Sequence, residues 1–93
     1  MKVEKRNGNI VEFEKDKIIK AVKKAFNAVK TNISEDDINN LMDFINENLP
    51  EDVKRVEDIQ DTIVLWLHKN EYHNEGIAFT KYRERRAIAR DTS

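Results

Sequence analysis

The stretch Val3-Glu-Lys-Arg-Asn-Gly-Asn-Ile-Val-Glu-Phe-Glu-Lys-Asp-Lys-Ile18 decides the fold. Asn7-Gly8 favours the positive backbone angles of a tight turn, so residues 2–6 and 10–13 read as two short strands joined through Asn7-Gly8-Asn9. Val3, Val11 and Phe13 are the expected inward positions. A two-stranded ribbon is marginal in water and needs a third strand or helices to cover it. Asp16 is the expected N-cap of a helix that begins at Lys17 and Ile18.

Outward from the hairpin, the apolar residues change period. Ile18, Ile19, Ala21, Val22, Ala25, Phe26 and Val29 form one helical stripe. Ser34 caps a second helix, with Glu35, Asp36 and Asp37 favouring its positive end. Its stripe is Ile38, Leu41, Met42, Ile45 and Leu49, and Pro50 stops it. Residues 53–56, Val-Lys-Arg-Val, have the composition of a brief strand that joins the hairpin. Glu57 and Asp58 open a third helix with Ile59, Ile63, Val64, Trp66 and Leu67 inward, ending at Asn70. A fourth runs from Asn74 to Arg90 and mixes Ile77, Ala78, Phe79, Tyr82 and Ile88 with Lys81, Arg83, Arg85, Arg86 and Arg90. The expected fold is α+β and mostly helical: a four-helix bundle capped by a small two- or three-stranded sheet.

At 93 residues the chain makes one domain. It ends at Arg-Asp-Thr-Ser straight after a helical pattern, as a domain cut from a longer protein would. Its net charge is −1, which argues against salt-driven nucleic-acid binding. The absence of cysteine excludes disulfides, thiol nucleophiles and Cys-type zinc sites. No apolar run approaches the roughly 18 residues of a membrane span, and Met-Lys-Val-Glu-Lys-Arg-Asn-Gly lacks a secretory core. The expected compartment is the cytoplasm.

No catalytic set has a recognisable spacing. His68 and His73 lack the i, i+4 arrangement of a helical metal site and read as surface residues. The acid pairs Asp36-Asp37 and Glu57-Asp58 are explained by helix-end electrostatics. With Gly8 and Gly76 as the only glycines, neither a Walker loop nor a dinucleotide fingerprint is available. An anion would therefore be held by side chains: Lys5 and Arg6 on the first strand, Lys17 at the first helix, and Arg83, Arg85 and Arg86 on the last. The competing reading is a solvated basic face.

The run Val-x-Lys-Arg-Asn-Gly-x-x-Val-x-Phe-x-x-x-Lys-Ile resembles the opening of the ATP-cone, a regulatory domain at the N-terminus of many ribonucleotide reductases and within a repressor of their genes. Val56-Glu-Asp-Ile-Gln-Asp-Thr-Ile-Val64 is similar to the opening of its third helix. Tyr82-Arg-Glu-Arg-Arg-Ala-Ile-Ala-Arg90 resembles the close of the cone in anaerobic reductases. The resemblance implies a nucleotide-binding regulatory domain over residues 1–93 with no catalytic residues. Its effector would be ATP or dATP, with Mg2+ accompanying it. Lys5, Arg6 and Lys17 would approach the phosphates, and the segment holding Val11, Glu12, Phe13 and Glu14 would lie along the nucleotide. Glu14 would be either the carboxylate that favours the metal ion or a plain surface charge. Arg85, with Arg83 and Arg86 beside it, would add a phosphate contact, and Val3, Ile18 and Ile59 would line the adenine crevice. Asn7 departs from the usual Asp. Val56 and Gln60 stand where aerobic relatives carry Thr and His, so the reading of ATP against dATP would differ. The implied partners are adenine nucleotides and the enzyme's own catalytic body, in deoxyribonucleotide biosynthesis, with self-association as a further outcome. The repressor alternative would bring a zinc ribbon, which needs cysteine. A plain interaction module, its basic last helix meeting an acidic partner, is the third reading.

Overall fold

In the computed structural model, which describes residues 2–5, 7–50 and 53–91 (backbone alone at 53 and 86–91), seven elements follow in order. Strands β1 (Lys2–Glu4) and β2 (Ile10–Glu12) precede helices α1 (Lys15–Ala28) and α2 (Glu35–Asn48). Strand β3 (Val53–Arg55), helix α3 (Val56–Lys69) and helix α4 (His73–Asp91) complete the chain. The expected α+β architecture, four helices under a small sheet, is what the chain adopts.

Gly8 takes φ +86 in the hairpin turn, which a side chain would strain. Asn7 helps to close the turn: its Oδ1 accepts from the Asn9 amide at 3.0 Å. β1 is central in the order β2-β1-β3, antiparallel to β2 and parallel to β3. Val3 faces Val11 on one side and Lys54 on the other. Val3 is buried, but Val11 on the edge strand stays 37% exposed, which corrects its expected inward position. Only the middle strand is covered from both sides. Lys54 is fully buried, and its ammonium donates to the Pro50 carbonyl.

The helix stripes fall where their periods put them. Val22, Ala25 and Phe26 of α1, Leu41, Met42 and Ile45 of α2, and Ile63, Trp66 and Leu67 of α3 form one core with Phe79 of α4. The Ser34 cap is present, its Oγ accepting from the Asp37 amide at 3.1 Å. The α1 cap differs from expectation: Glu14 is the N-cap, and Asp16 sits inside the first turn, where its charge still complements the helix dipole. Helix α3 likewise starts one residue early, at Val56. Ile77 is 50% exposed, because the inward side of α4 is taken by Glu75, Gly76 and Phe79. Ile88 has its side chain outside the described set.

Polar ties lock the loops to the bundle. Thr31, after α1, donates from Oγ1 to the buried carboxylate of Glu75 at 3.1 Å. Tyr72, before α4, donates to Asp37 Oδ2 at 2.6 Å, while its ring meets Phe26 edge-on at 5.1 Å.

Candidate functional site

The sheet register sets the geometry of the candidate site. Glu4 lies opposite Arg55, the residue that caps α3. The exit of β1 toward Lys5 therefore stands beside the first turn of α3, where Val56, Ile59 and Gln60 lie. At the other end of the ladder Lys2 lies opposite Glu12, and the chain turns through Phe13 and Glu14 into α1. Lys5 and the first turn of α1, with Lys17 and Ile18, thus flank opposite ends of the hairpin. The sequence-predicted residues of β1, β2, α1 and α3 gather around one small sheet.

Their environments differ. Val3 and Ile59 are buried, and Phe13, Ile18 and Val56 are half-buried against the core. These make the apolar side. Lys5 is exposed, its backbone held in the turn by bonds from its amide to the Asn9 carbonyl and from the Gly8 amide to its own carbonyl. It has no ion-pair partner among the described residues. Lys17 is paired with Glu14, Nζ to Oε2 3.0 Å, with both side chains more than half exposed. Lys2 is paired with Glu12, and its hydrogen bond holds the Glu12 carboxyl below the usual range. Arg55 stands 3.8 Å from Glu4. Such exposed pairs are worth about 0–1 kcal/mol each, so an incoming polyanion can exchange them at little cost.

Gln60 is half-buried, and its Oε1 is fully enclosed with no hydrogen-bond partner among the described residues. Leaving a buried amide group unpaired costs about 1–3 kcal/mol. Exchanging the amide's oxygen and nitrogen by a flip would still leave one polar atom of the carboxamide enclosed there. The sequence could mark Gln60 as polar on the opening turn of a helix, but not as unsatisfied.

The arginines of α4 separate. Arg83 donates from Nη1 to Asp61 Oδ1 at 2.7 Å, tying α4 to α3. Arg85 lines a groove of about 470 Å3 between α1 and α4, beside Lys24. Lys24 lies seven residues beyond Lys17 on α1, about 10 Å along the axis. Arg6 lies outside the described residues, as does the side chain of Arg86. His68 and His73, expected as separate surface residues, meet through their Nδ1 atoms at 2.9 Å, one ring donating to the other. Among the described residues no group of three or more His, Cys, Asp or Glu is arranged to hold a metal ion, and no helix is long and apolar enough to cross a membrane.

The model of the ATP cone domain family matches the chain over residues 1–88. Domains of this family bind adenine nucleotides as allosteric effectors and are regulatory rather than catalytic. No curated protein matches the chain.

Proposed function

We propose, on the premise that this chain belongs to the ATP-cone family, that it binds ATP or dATP around its sheet and so controls a ribonucleotide reductase of the anaerobic class in the cytoplasm. The observation that carries this reading is the juxtaposition of the exposed Lys5, at the exit of β1, with the start of α3 and its apolar residues Val56 and Ile59. An exposed cation at the exit of β1 and an apolar side of Val3, Val56 and Ile59, continued by Ile18 at the α1 end of the sheet, suit a phosphorylated ligand with a flat base. Lys5 and Arg6 reach the phosphates from the turn end of the hairpin and Lys17 from its α1 end, Val11, Glu12 and Phe13 lie along the nucleotide between them, and Gln60 lies toward its base or sugar. Mg2+ accompanies the triphosphate, and Glu14 is the carboxylate assigned to it once Lys17 turns to a phosphate. Arg85 and Arg86 supply the contact from α4, with Arg83 available only on leaving Asp61.

Regulation follows if ATP and dATP favour different packings of the hairpin, α1 and α4. A ligand shifts such an equilibrium only through its differential affinity for the two states. The readout would be association of this domain with itself or with the catalytic body of its enzyme.

Calorimetric titration with ATP and dATP tests the site. Lys5→Ala is expected to weaken triphosphate binding tenfold to a hundredfold, from roughly 1.5–3 kcal/mol for a charged hydrogen bond, with an unchanged melting temperature. Gln60→Leu should relieve the unpaired group, raising stability while lowering affinity. Equal affinity in the parent chain and in Lys5→Ala would remove the phosphate assignment. An absence of heat and of thermal shift at millimolar nucleotide would remove the reading altogether, because a ligand bound to the folded state must stabilise it.

A further inference from the structure

Helix α4 carries two faces. Glu75 and Phe79 are buried toward the core. A second set, Asn74, Ile77, Ala78, Lys81, Tyr82 and Arg85, recurs at i, i+3, i+4, i+7, i+8 and i+11, the spacing of a single helix face. All six line the groove between α4 and α1. The α1 wall contributes Lys24, Ala25, Ala28 and Val29. From Asn74 to Arg85 the groove runs about 16 Å, or three helical turns.

Its chemistry is one-sided. Ala28 and Ala78 are small enough to let another backbone approach, with Ala25 buried beneath them, and Ile77 is half exposed beside them. Lys24, Lys81 and Arg85 give it three cations, and among the described residues no carboxylate lines it. The chain as a whole has 18 acids against 17 Lys and Arg, so this is a local positive field in a nearly neutral molecule. Lys24 lies over the Tyr82 ring, Nζ to centroid 5.5 Å, linking the two helices across the groove.

We propose that this groove seats an acidic amphipathic helix of a partner protein. The partner's apolar stripe would lie on Ala28, Ile77 and Ala78, and its flanking carboxylates would meet Lys24 and Lys81. A groove between two helices is where a third helix packs, and the apolar length suits a side-chain stripe. The acidic helix of this chain itself, α2, has already buried its stripe of Ile38, Leu41, Met42 and Ile45, so a second copy has no equivalent face to offer from that helix. Arg85 is the one groove residue shared with the nucleotide reading; Lys24, Ile77 and Lys81, on which the inference rests, belong to no part of it.

The probe is an 18-residue helical peptide with a leucine stripe flanked by glutamates. The control carries lysines in place of the glutamates. Each is titrated into the 15N-labelled chain while amide resonances are followed. Saturable shifts centred on Ala28, Ile77, Ala78 and Lys81 are expected with the acidic peptide alone, weakening as salt rises. The double variant Lys24→Glu/Lys81→Glu, and separately Ile77→Asp, should each lose at least tenfold in peptide affinity. All three residues are exposed, so a dispersed amide spectrum and unchanged ATP titration should accompany that loss. Equal binding of the lysine control, shifts elsewhere, or none at millimolar peptide would overturn the proposal. Groove shifts that depend on protein concentration without peptide would assign the face to a second copy. Shifts at Lys24, Ala28, Ile77 and Lys81 produced by ATP and blocking the peptide would assign it to the nucleotide. Either result would also overturn the proposal.

Discussion

Replacing Tyr72 by phenylalanine isolates the bond that fastens the turn before α4 to the start of α2. The hydroxyl donates to Asp37 Oδ2 at 2.6 Å. The ring meets Phe26 at 5.1 Å and 65° and Trp66 at 6.0 Å and 33°, contacts that Phe retains. A hydrogen bond to a charged group is worth about 1.5–3 kcal/mol. Both residues are half-buried, and Asp37 lies in the first turn of α2, where water can rehydrate it. The expected loss is therefore about 1–2 kcal/mol. For a domain of this size that lowers Tm by about 5–15 °C. The pH dependence gives a second handle. The bond to Asp37, together with burial, raises the Tyr72 hydroxyl above its ordinary value. A raised folded-state value means the contribution is complete below about pH 10, where an unfolded tyrosine titrates, and is lost as pH rises through the folded value. Thermal melts of the parent chain and Tyr72→Phe should differ by a constant amount from pH 7 to 9 and converge at higher pH. A double-mutant cycle with Asp37→Asn should return a coupling of about 1 kcal/mol. A Tm change under 2 °C at neutral pH, or a gap that persists undiminished at strongly alkaline pH, would refute the reasoning.

Three further outcomes are expected. Phe26→Ala, at a position only 1% exposed in the core, should cost about 3–5 kcal/mol in chemical denaturation, a large part of the 5–15 kcal/mol typical of a domain. Ser34→Ala removes the acceptor for the Asp37 amide and should cost about 1 kcal/mol by the same measurement. Asp61→Ala frees Arg83 from its 2.7 Å partner. Stability should change by less than about 1 kcal/mol, while calorimetry should show triphosphate binding tightened severalfold if Arg83 then turns to the phosphates.

The local sequence was enough for the parts whose causes are local. Asn7-Gly8 marks the hairpin because Gly8 adopts φ +86, which a side chain would strain, and the Asn7 side chain bonds the Asn9 amide. Ser34 three residues before Asp37 specifies the start of α2 because the capping bond spans only that distance. Helical stripes at residues 22–26, 38–45 and 59–67 identify the core, since burial follows the 3.6-residue period. The family was also legible, carried by motifs spread along the chain. Tertiary structure decided what depends on distant neighbours. Val3 and Val11 are the same residue type facing each other, yet one is covered and the other exposed, because β3 pairs with β1 and leaves β2 at the edge. Arg83 and Arg85 are two positions apart, but helix geometry turns one toward Asp61 on α3 and the other into the α1–α4 groove. The enclosed Oε1 of Gln60 and the gathering of Lys24, Lys81 and Arg85 along one groove arise only where helices meet. No periodicity records them, since each depends on which other side chains are present and which are missing.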